Sequence, residues 1–319
     1  MSTAAETNGA GAAHKARKSL WIKLKRQRYL MLLLLPCVAL TFVFSYMPLW
    51  GLLMAFMDYR PGRAFFDNPW VGWKHFEYFI VYSGDFFTIL RNSIVLSLLA
   101  MATITPLAIL FAIVLFELRL RMFKRVVQTI SYFPHFVSWA IVATIFFQFL
   151  SLEGWLNTWL IRLGLYDNPY FFLGEPKLIW PILTLANLWK ELGWSSIVFL
   201  AAIASVDPSL YDAAYVDGAS RWQRIRYVTI PGMMPTISII LILSAGSLLN
   251  TGFEQYYLMG SPATWEYSDV IDTYVVRYGL SMGQFSFATA VGLFKTAVSL
   301  TILWIVNTVL RRTNGYSLW

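Results

Sequence analysis

Six long runs of apolar residues dominate the chain, and more polar segments separate them. The runs cover residues 29–57, 88–116, 126–150, 178–205, 233–252 and 285–310. A helix needs about 20 apolar residues to cross the hydrocarbon core of a bilayer, and each run reaches that length. None of the runs shows the strict alternation that is typical of membrane β-barrel strands. The pattern therefore predicts an all-α polytopic membrane protein with six transmembrane helices.

Composition and charge agree with this class and orient the spans. Hydrophobic residues make up 58% of the 319 residues and charged residues only 13%, whereas soluble domains carry about 25% charged residues. Of the 25 Lys and Arg residues, 16 fall in the first segment, the last segment and the two loops on the same side. Because segments rich in Lys and Arg stay in the cytoplasm, both termini are expected there. The net charge of +8 thus reflects topology and not nucleic-acid binding.

The same pattern suggests a simple domain organisation. Residues 1–28 are small and polar and then basic, which is typical of a disordered cytoplasmic tail, and residues 29–319 form the transmembrane domain. The first apolar run is too long for the core of a cleavable signal peptide. The single cysteine, Cys37, lies in that run and excludes an intrachain disulfide.

One cytoplasmic loop, about residues 206–232, has the signals of two short helices. Asp207 followed by Pro208 predicts a helix start, and Ser220 predicts a second start. Gly218 predicts a break between the helices, and Pro231 is expected to end the second one. The resulting helix–turn–helix would present small residues at its turn, which suits insertion into a groove on another protein. An amphipathic helix that rests on lipid headgroups is the alternative.

Residues 212–231 of this loop read DAAYVDGASRWQRIRYVTIP. The stretch resembles the EAA loop of binding-protein-dependent ABC importer permeases, whose pattern is E-A-A-x-x-D-G-A followed by a spacer and I-x-L-P. The matching positions are Ala213, Ala214, Asp217, Gly218, Ala219 and Pro231, while Asp212 replaces the usual Glu and Ile225 the usual Phe. The stretches YMPLWGLLMAFMDYRPG, NLWKELGWSSIVFLAAI and GFEQYYLM resemble the maltose-type carbohydrate-uptake permeases, in the subgroup of complex-polysaccharide and uronate-oligosaccharide importers that includes alginate systems.

The resemblance implies the type I ABC importer permease fold, in the bacterial cytoplasmic (inner) membrane. It implies a second homologous permease, two ATP-binding subunits that hold ATP and Mg, and an extracytoplasmic solute-binding protein that delivers an oligosaccharide. Contacts that couple the chain to the ATPases then fall on Asp212, Ala213, Ala214, Asp217, Gly218, Ala219, Arg221, Ile225 and Pro231. The chain has no Gly-Lys dipeptide, so it lacks a P-loop and is expected to be neither an enzyme nor a cofactor-binding subunit.

Polar residues in and near the spans predict a substrate path, because ionisable groups inside a membrane are costly and functional by default. The candidates are Asn92, Asn187, Lys190, Glu191, Glu254, Gln255, Tyr256 and Lys295. Structural pairing is the alternative for the charged residues, and loop anchoring is the alternative for those near the outer ends. Sequence neighbours do not face each other on a helix, so Lys190 and Glu191 are expected to have different partners. His75 and His135 are isolated in the sequence, and no metal site is expected.

Two other classes of function fit parts of the pattern. An ion-coupled secondary transporter would use the Lys and Glu within the spans, but it predicts repeats with matching broken helices, and the two halves of the sequence show none. A membrane scaffold without transport is the third class. The outer loops, counted together with Arg91 at the outer end of the second run, hold 7 basic and 11 acidic residues and give no bulk attraction for polyuronates. The expected substrate, an oligosaccharide that is complex or contains uronate, with alginate fragments included, therefore rests on the resemblance.

Overall fold

A computed structural model describes residues 27–314 of the protein, and these residues are almost entirely helical. The helices are α1 (Arg28–Thr41), α2 (Lys74–Glu77), α3 (Phe86–Glu117), α4 (Arg121–Tyr132), α5 (Trp139–Leu150), α6 (Trp155–Arg162), α7 (Pro176–Ala204), α8 (Pro208–Val216), α9 (Arg221–Gly246), α10 (Glu254–Met259), α11 (Trp265–Ser268), α12 (Ile271–Val276) and α13 (Phe285–Asn314). Short 3-10 segments lie at Met47–Phe56, Phe65–Asp67, Phe133–Phe136 and Phe172–Gly174, and π segments lie at Phe42–Tyr46, Tyr78–Tyr82, Ile225–Thr229 and Arg277–Ser281. Within residues 27–314 the extended pairing is one isolated bridge between Met57 and Trp70. The predicted basic tail lies outside the described residues, apart from residues 27 and 28.

The membrane-spanning character of the helices is confirmed. Five described segments are long and apolar enough to cross a bilayer: Arg28–Phe56, Phe86–Glu117, Trp139–Arg162, Arg221–Gly246 and Phe285–Arg312. A sixth is obtained when α7 and α8, which are bent by 69° against each other, are counted as one span. The chain also divides into two compact units, residues 1–53 and residues 54–319. The described part of the first unit is α1 with its π and 3-10 continuation, and the second unit holds all the other helices.

The third apolar run is not one helix, so the span predicted over residues 126–150 is wrong in its boundaries. Helix α4 ends at Tyr132, a 3-10 turn follows, and Val137 is extended before α5 begins. Pro134 lies in this turn and has no N–H to continue the hydrogen-bond ladder of α4. The side chain of Ser138 then caps α5 by accepting a hydrogen bond from the N–H of Ile141. Because backbone that is broken within a membrane needs polar partners, this break requires groups from another helix.

The fifth span begins earlier than residue 233, and Pro231 does not end a helix as the sequence predicted. Helix α9 starts at Arg221 and continues through Pro231 to Gly246. A wide π turn at Ile225–Thr229 immediately precedes the proline, and the N–H of Ile230 donates to the carbonyl of Ile225. The wider turn changes the hydrogen-bond register just where the N–H of Pro231 is missing, so the helix tolerates the proline. The loop and the fifth span therefore share one continuous helix.

Small side chains allow the central helices to approach closely. Helices α3 and α7 form the most extensive pairing among the described helices. Ala108 and Ala112 lie one turn apart on α3, fully buried in a cluster with Phe199 of α7. Such residues favour helix association in a membrane, where lipid chains are as apolar as the helix surface. At Gly193, an added Cβ would lie 1.9 Å from the carbonyl oxygen of Ser131, so the contact between α7 and α4 requires glycine.

Candidate functional site

A cavity of about 470 Å³ lies between α3, α7, α9 and the segment that follows α9. Its polar lining consists of hydroxyl and amide side chains: Ser97, Thr105, Asn187, Ser195, Ser244, Ser247, Asn250 and Thr251. Trp194, Phe199 and Tyr256 are among its aromatic lining residues. No Asp, Glu, Lys or Arg from the described part of the chain lines this central cavity. It can therefore offer hydrogen bonds to sugar hydroxyls, but no ion pair to a carboxylate.

Two of the predicted path residues, Asn187 and Tyr256, line the central cavity. Tyr256 is only 5% exposed and also borders a neighbouring cavity of about 300 Å³ near Trp265 and Arg277. The sequence reasoning missed the small hydroxyl residues of the wall. Serine and threonine within an apolar run are equally typical of helix packing, so the sequence alone does not distinguish the two roles.

A third cavity, of about 440 Å³, lies beside the central one. Its lining includes Trp139, Asn187, Glu191, Glu254 and Gln255. The side chain of Gln255 is buried, and its Nε2 donates to the carbonyl of Leu183 at 2.7 Å. This bond ties α10 to α7, so Gln255 helps to position the wall, whereas Glu254 is exposed at the cavity.

Lys190 is buried, and its ammonium group donates hydrogen bonds to backbone carbonyls at the break between α4 and α5. The Nζ donates to the carbonyl oxygens of Val137 at 2.7 Å, of Pro134 at 3.4 Å and of His135. An ammonium has three donors, and here each has a carbonyl. The carbonyl of Pro134 also accepts from the backbone N–H of Val137 at 3.1 Å, so Lys190 adds a charged donor to the backbone hydrogen bonding at the break. The structure thus places Lys190 as an anchor between α7 and the broken third span.

Glu191 has a different partner from Lys190, as the helical spacing predicted. Its Oε2 lies 2.9 Å from the Nδ1 of His135. The ring of His135 stacks on Trp194, with ring centroids 4.4 Å apart and planes within 1° of parallel. His135 is therefore not isolated, contrary to the sequence expectation. Because Trp194 lines the central cavity and Glu191 the neighbouring one, this pair lies next to both.

Asn92 lies at the outer end of α3 and holds the third outer loop. Its Nδ2 donates to the carbonyls of Glu266 at 3.1 Å and of Asp269 at 3.0 Å, and the residue is fully buried. The guanidinium group of Arg91 donates to the Oδ1 of Asn92 at 3.2 Å and lies 5.0 Å from the centroid of the Tyr267 ring. Both side chains are thus engaged in fixing the loop and do not line the central cavity.

Lys295 of α13 forms an ion pair with Asp272 of α12. Its Nζ also donates to the Oδ1 of Asn250 at 2.9 Å, and Asp272 accepts from the backbone N–H of Gly252 at 3.0 Å. Both charged side chains are 16% exposed. Asn250 lines the central cavity, and so does Thr251, whose hydroxyl donates to Asp272 at 3.4 Å, so Lys295 is connected to the wall through these two residues.

The cytoplasmic loop folds as two helices with a turn between them, as the sequence predicted. The Oδ1 of Asp207 accepts from the N–H of Ser209 at 2.9 Å, and this backbone hydrogen bond holds the pKa of the Asp207 carboxyl below its usual range. Gly218 has a φ of +74°, a conformation that residues with a Cβ resist. Ser220 and Gln223 form a capping box at the start of α9. The signals at Asp207, Gly218 and Ser220 thus each have a hydrogen bond or a backbone angle to match them.

The turn of this loop presents an open surface. Among the residues predicted to couple, Asp212, Ala213, Asp217, Gly218, Arg221 and Pro231 are exposed, and Ala214, Ala219 and Ile225 are half-buried. A Cβ added at Gly218 would meet no atom within 4 Å. Large apolar side chains flank the turn, with Val216 84% and Trp222 67% exposed. The surface is therefore bare at its tip, acidic at one edge and apolar at its rim.

The loop is fastened to the helices above it. The Nε of Arg221 lies 3.4 Å from the Oε2 of Glu117, which joins the start of α9 to the end of α3. The hydroxyl groups of Tyr211 and Thr229 are 3.0 Å apart and join α8 to α9. Ile225 packs against the buried cluster of the inner halves of α3 and α7. Because of these contacts, the loop and the inner ends of the spans are expected to move together.

Residues 104–315 match the family described as "Binding-protein-dependent transport system inner membrane component". The chain is 41% identical over 296 residues to the polygalacturonan/rhamnogalacturonan transport system permease protein YteP of Bacillus subtilis (strain 168). The aligned region covers 93% of this chain and 92% of YteP. It is 40% identical over 289 residues to protein LplB of the same organism, with 91% and 90% covered.

Two solved structures are similar over nearly the whole chain. One belongs to a bacterial ABC transporter involved in the import of the acidic polysaccharide alginate, with a TM-score of 0.84, 39% identity, and 93% of this chain and 99% of that chain covered. The other is a bacterial alginate ABC transporter in complex with an alginate pentasaccharide-bound periplasmic protein, with a TM-score of 0.84, 38% identity, and 94% and 99% covered.

Proposed function

The chain belongs to the family of binding-protein-dependent transport system inner membrane components, and from this premise we propose that it passes acidic oligosaccharides through its central cavity into the cell. It is a multi-pass permease subunit of an ABC importer and has the type I importer permease fold. In the proposed scheme the chain is not itself an enzyme. A second permease, two ATP-binding subunits and an extracytoplasmic binding protein complete such an importer. The comparisons give no support to the ion-coupled alternative.

One observation carries the proposal: the cytoplasmic loop connects two helices that both line the central cavity. Helix α7 contributes Asn187 and Ser195 to the wall, and α9 contributes Leu243 and Ser244. Helix α9 continues directly into the loop, and α7 meets α8 at the 69° bend. A displacement of the loop is therefore a displacement of the cavity wall.

ATP hydrolysis belongs to the partner subunits, because a chain without a Gly-Lys dipeptide has no P-loop to hold phosphates. ATP and Mg would bind there, and closure of the ATPase pair would move the docked loop inward as a lever. The docking surface consists of Asp212, Ala213, Ala214, Asp217, Gly218, Ala219 and Arg221, with Ile225 and Pro231 behind it on α9. The loop in this scheme transmits free energy between two sites and performs no chemistry.

The substrate class follows from two relatives together with the chemistry of the cavity. YteP is named for polygalacturonan and rhamnogalacturonan, and the matched structure for the acidic polysaccharide alginate; these polymers share sugar rings with carboxylates. In the described part of the chain, the central cavity has hydroxyl and amide groups for sugar hydroxyls and no acidic group to repel a carboxylate. Weak neutral contacts also suit a path that the substrate must leave. We assign Asn187 and Tyr256 to sugar contact, with Glu191 and Glu254 beside them, and Asn92, Lys190, Gln255 and Lys295 to positioning the wall.

A pull-down tests the assembly. The tagged chain is purified in mild detergent from its native membranes, and the co-purifying proteins are identified. We expect a P-loop ATPase and a second permease with an EAA loop. Recovery of the chain alone, under conditions that hold other ABC importers together, would overturn the proposal.

A further inference from the structure

A cavity of about 440 Å³ lies on the extracytoplasmic side, between the first outer loop and the beginning of α13. Its lining includes Tyr59, Lys74, Glu77, Tyr78, Tyr82 and Gln284, and it shares no residue with the lining of the central cavity. We propose that this outer cavity binds a sugar residue of an acidic oligosaccharide on the permease itself. The inference rests on the proposed function for the substrate class, and on the geometry of the outer cavity for the site.

The walls of the outer cavity are held in place by contacts among its lining residues and with the backbone beside them. The backbone N–H of Tyr59 donates to the Oγ of Ser286 at 2.9 Å, which ties the outer loop to α13. The ring of Tyr78 packs edge-on against Phe287, with centroids 5.5 Å apart, and Phe287 is 3% exposed. The Nε2 of His75 lies 3.1 Å from the carbonyl of Met57. A ligand would therefore meet a largely pre-formed pocket, whose volume falls in the range of small-molecule sites.

The polar groups of the outer cavity are free to bind a ligand. In the described part of the chain, the side chains of Lys74, Glu77 and Gln284 and the hydroxyls of Tyr78 and Tyr82 have no hydrogen-bond or ion-pair partner. Lys74 and Glu77 belong to the same turn of α2, yet their charged groups do not pair. The pocket thus combines an acceptor, a cation, two phenol groups and an amide. Sugar hydroxyls both donate and accept hydrogen bonds, and their rings pack on aromatic faces, so this set matches a sugar.

The charged groups favour a uronate over a simple anion. The titratable groups that line the outer cavity are Asp58, Lys74, His75 and Glu77, besides the tyrosines. Asp58 is already paired with Arg60 at 3.1 Å, which leaves Lys74 and Glu77 as the free charges. A uronate ring offers a carboxylate to the lysine and hydroxyl donors to the glutamate. A phosphate group carries a charge of about −1.5 to −2 at pH 7 and has no ring hydroxyls to donate to Glu77, so Glu77 would mainly repel it.

The position of the outer cavity suits a step after the binding protein releases the oligosaccharide and before the oligosaccharide enters the spans. It faces the side on which a binding protein releases its sugar, whereas the uncharged central cavity lies between the spans. A second contact point would keep one end of a released oligosaccharide on the permease while the other end enters the spans, and two linked weak contacts raise the effective local concentration.

The test is equilibrium binding of labelled trigalacturonate to the purified importer complex in lipid nanodiscs, without the binding protein. Wild type is compared with Lys74→Gln, Tyr82→Ala and the charge-matched control Lys177→Gln; Lys177 is exposed on the outer side and does not line the outer cavity. Loss of one charge-assisted contact is expected to weaken binding by about tenfold in Lys74→Gln. Tyr82→Ala should weaken it too, and Lys177→Gln should bind like wild type.

Other outcomes overturn the inference in distinguishable ways. Unchanged affinity in both outer-cavity variants, or absence of any direct binding, excludes the site. A Lys74→Gln effect confined to retention of anionic lipid would make it a headgroup site, and an effect confined to affinity for the binding protein would make it a docking pocket. ATP-driven uptake is measured on the same preparation with the binding protein added. Normal uptake without direct binding removes only this inference, whereas absence of uptake of any uronate oligosaccharide removes the proposed function.

Discussion

Gly218 sets the shape of the cytoplasmic turn, because its φ of +74° places the chain in a left-handed conformation. We predict that Gly218→Asp abolishes ATP-driven uptake while the protein still inserts in the membrane. A Cβ there meets nothing within this chain, so the loss would come from the surface offered to the ATPase. Gly164 is the matched control, since it has a φ of +68° and equally open surroundings in an outer loop.

Gly164→Asp carries the same backbone cost of about 1–2 kcal/mol and the same new charge, and it should transport normally. Uptake and membrane levels of both variants are measured in whole cells. Normal uptake by Gly218→Asp would contradict the docking role of the turn.

Lys190 supplies three hydrogen bonds to the broken third span. We predict that Lys190→Met lowers the free energy of unfolding by about 2–4 kcal/mol, because the carbonyls of His135 and Val137 lose the charged donor that joins them to α7. Thermal unfolding of the purified importer, followed by tryptophan fluorescence, should show a lower midpoint, while the exposed Lys177→Met should not. Unchanged stability together with lost uptake would instead place Lys190 in the substrate path.

At this scale the sequence identified polar residues in the spans but not their tasks. Lys190 and Asn92 were noted as possible contacts for sugar, and the structure engages both with backbone carbonyls of distant segments. The partners lie more than 50 residues away in the chain, so no local pattern reveals them. Ser244 and Ser247 line the central cavity, but they are indistinguishable in sequence from packing serines. Asn187 lines the central cavity, and an amide in the middle of an apolar run is hard to explain by packing; its contact with substrate stays a prediction.

Helix α9 links the proposed docking surface to the cavity wall, and its π turn at Ile225–Thr229 lies between them. A π turn is an α-helix with one residue inserted, so deletion of Arg226 should restore a regular helix and leave both ends in place. Deletion of Ile239, within the regular part, would instead rotate everything beyond it by about 100°. We predict that the first deletion retains ATP-coupled uptake and the second abolishes it.

Uptake and ATPase activity of the two deletion variants are compared in proteoliposomes. Loss of both activities in the Arg226 deletion alone would show that the wide turn is itself required, and that α9 does not act as a continuous rod.

The elements were predictable where a local signal decides and unpredictable where two signals compete. The capped starts at Asp207 and Ser220 and the break at Gly218 were all confirmed. Pro231 was expected to end a helix. The helix continues because the π turn before it changes the hydrogen-bond register where the proline has no N–H to donate. In the third run the apolar character is continuous across Pro134, so hydropathy could not show the break that Lys190 makes possible.

At the scale of the whole molecule, the uncharged and the charged groups that could contact a sugar lie in two different cavities. Among the described residues the central cavity is lined by uncharged groups, whereas the outer cavity has a free lysine and a free glutamate. Under the proposed function, selectivity for an acidic sugar would lie outside the spans, in the binding protein and at the outer cavity. Within the spans, the sugar need only exchange one set of weak hydrogen bonds for another while movement of the loop displaces the wall of the central cavity.

The most direct test of this account is uptake by proteoliposomes that contain the purified importer complex, with its binding protein and labelled trigalacturonate outside. The account predicts accumulation only when MgATP is enclosed, with no response to an imposed proton or sodium gradient. Accumulation driven by an ion gradient in the absence of ATP would contradict it, because the loop would then not be transmitting free energy from ATP hydrolysis to the cavity.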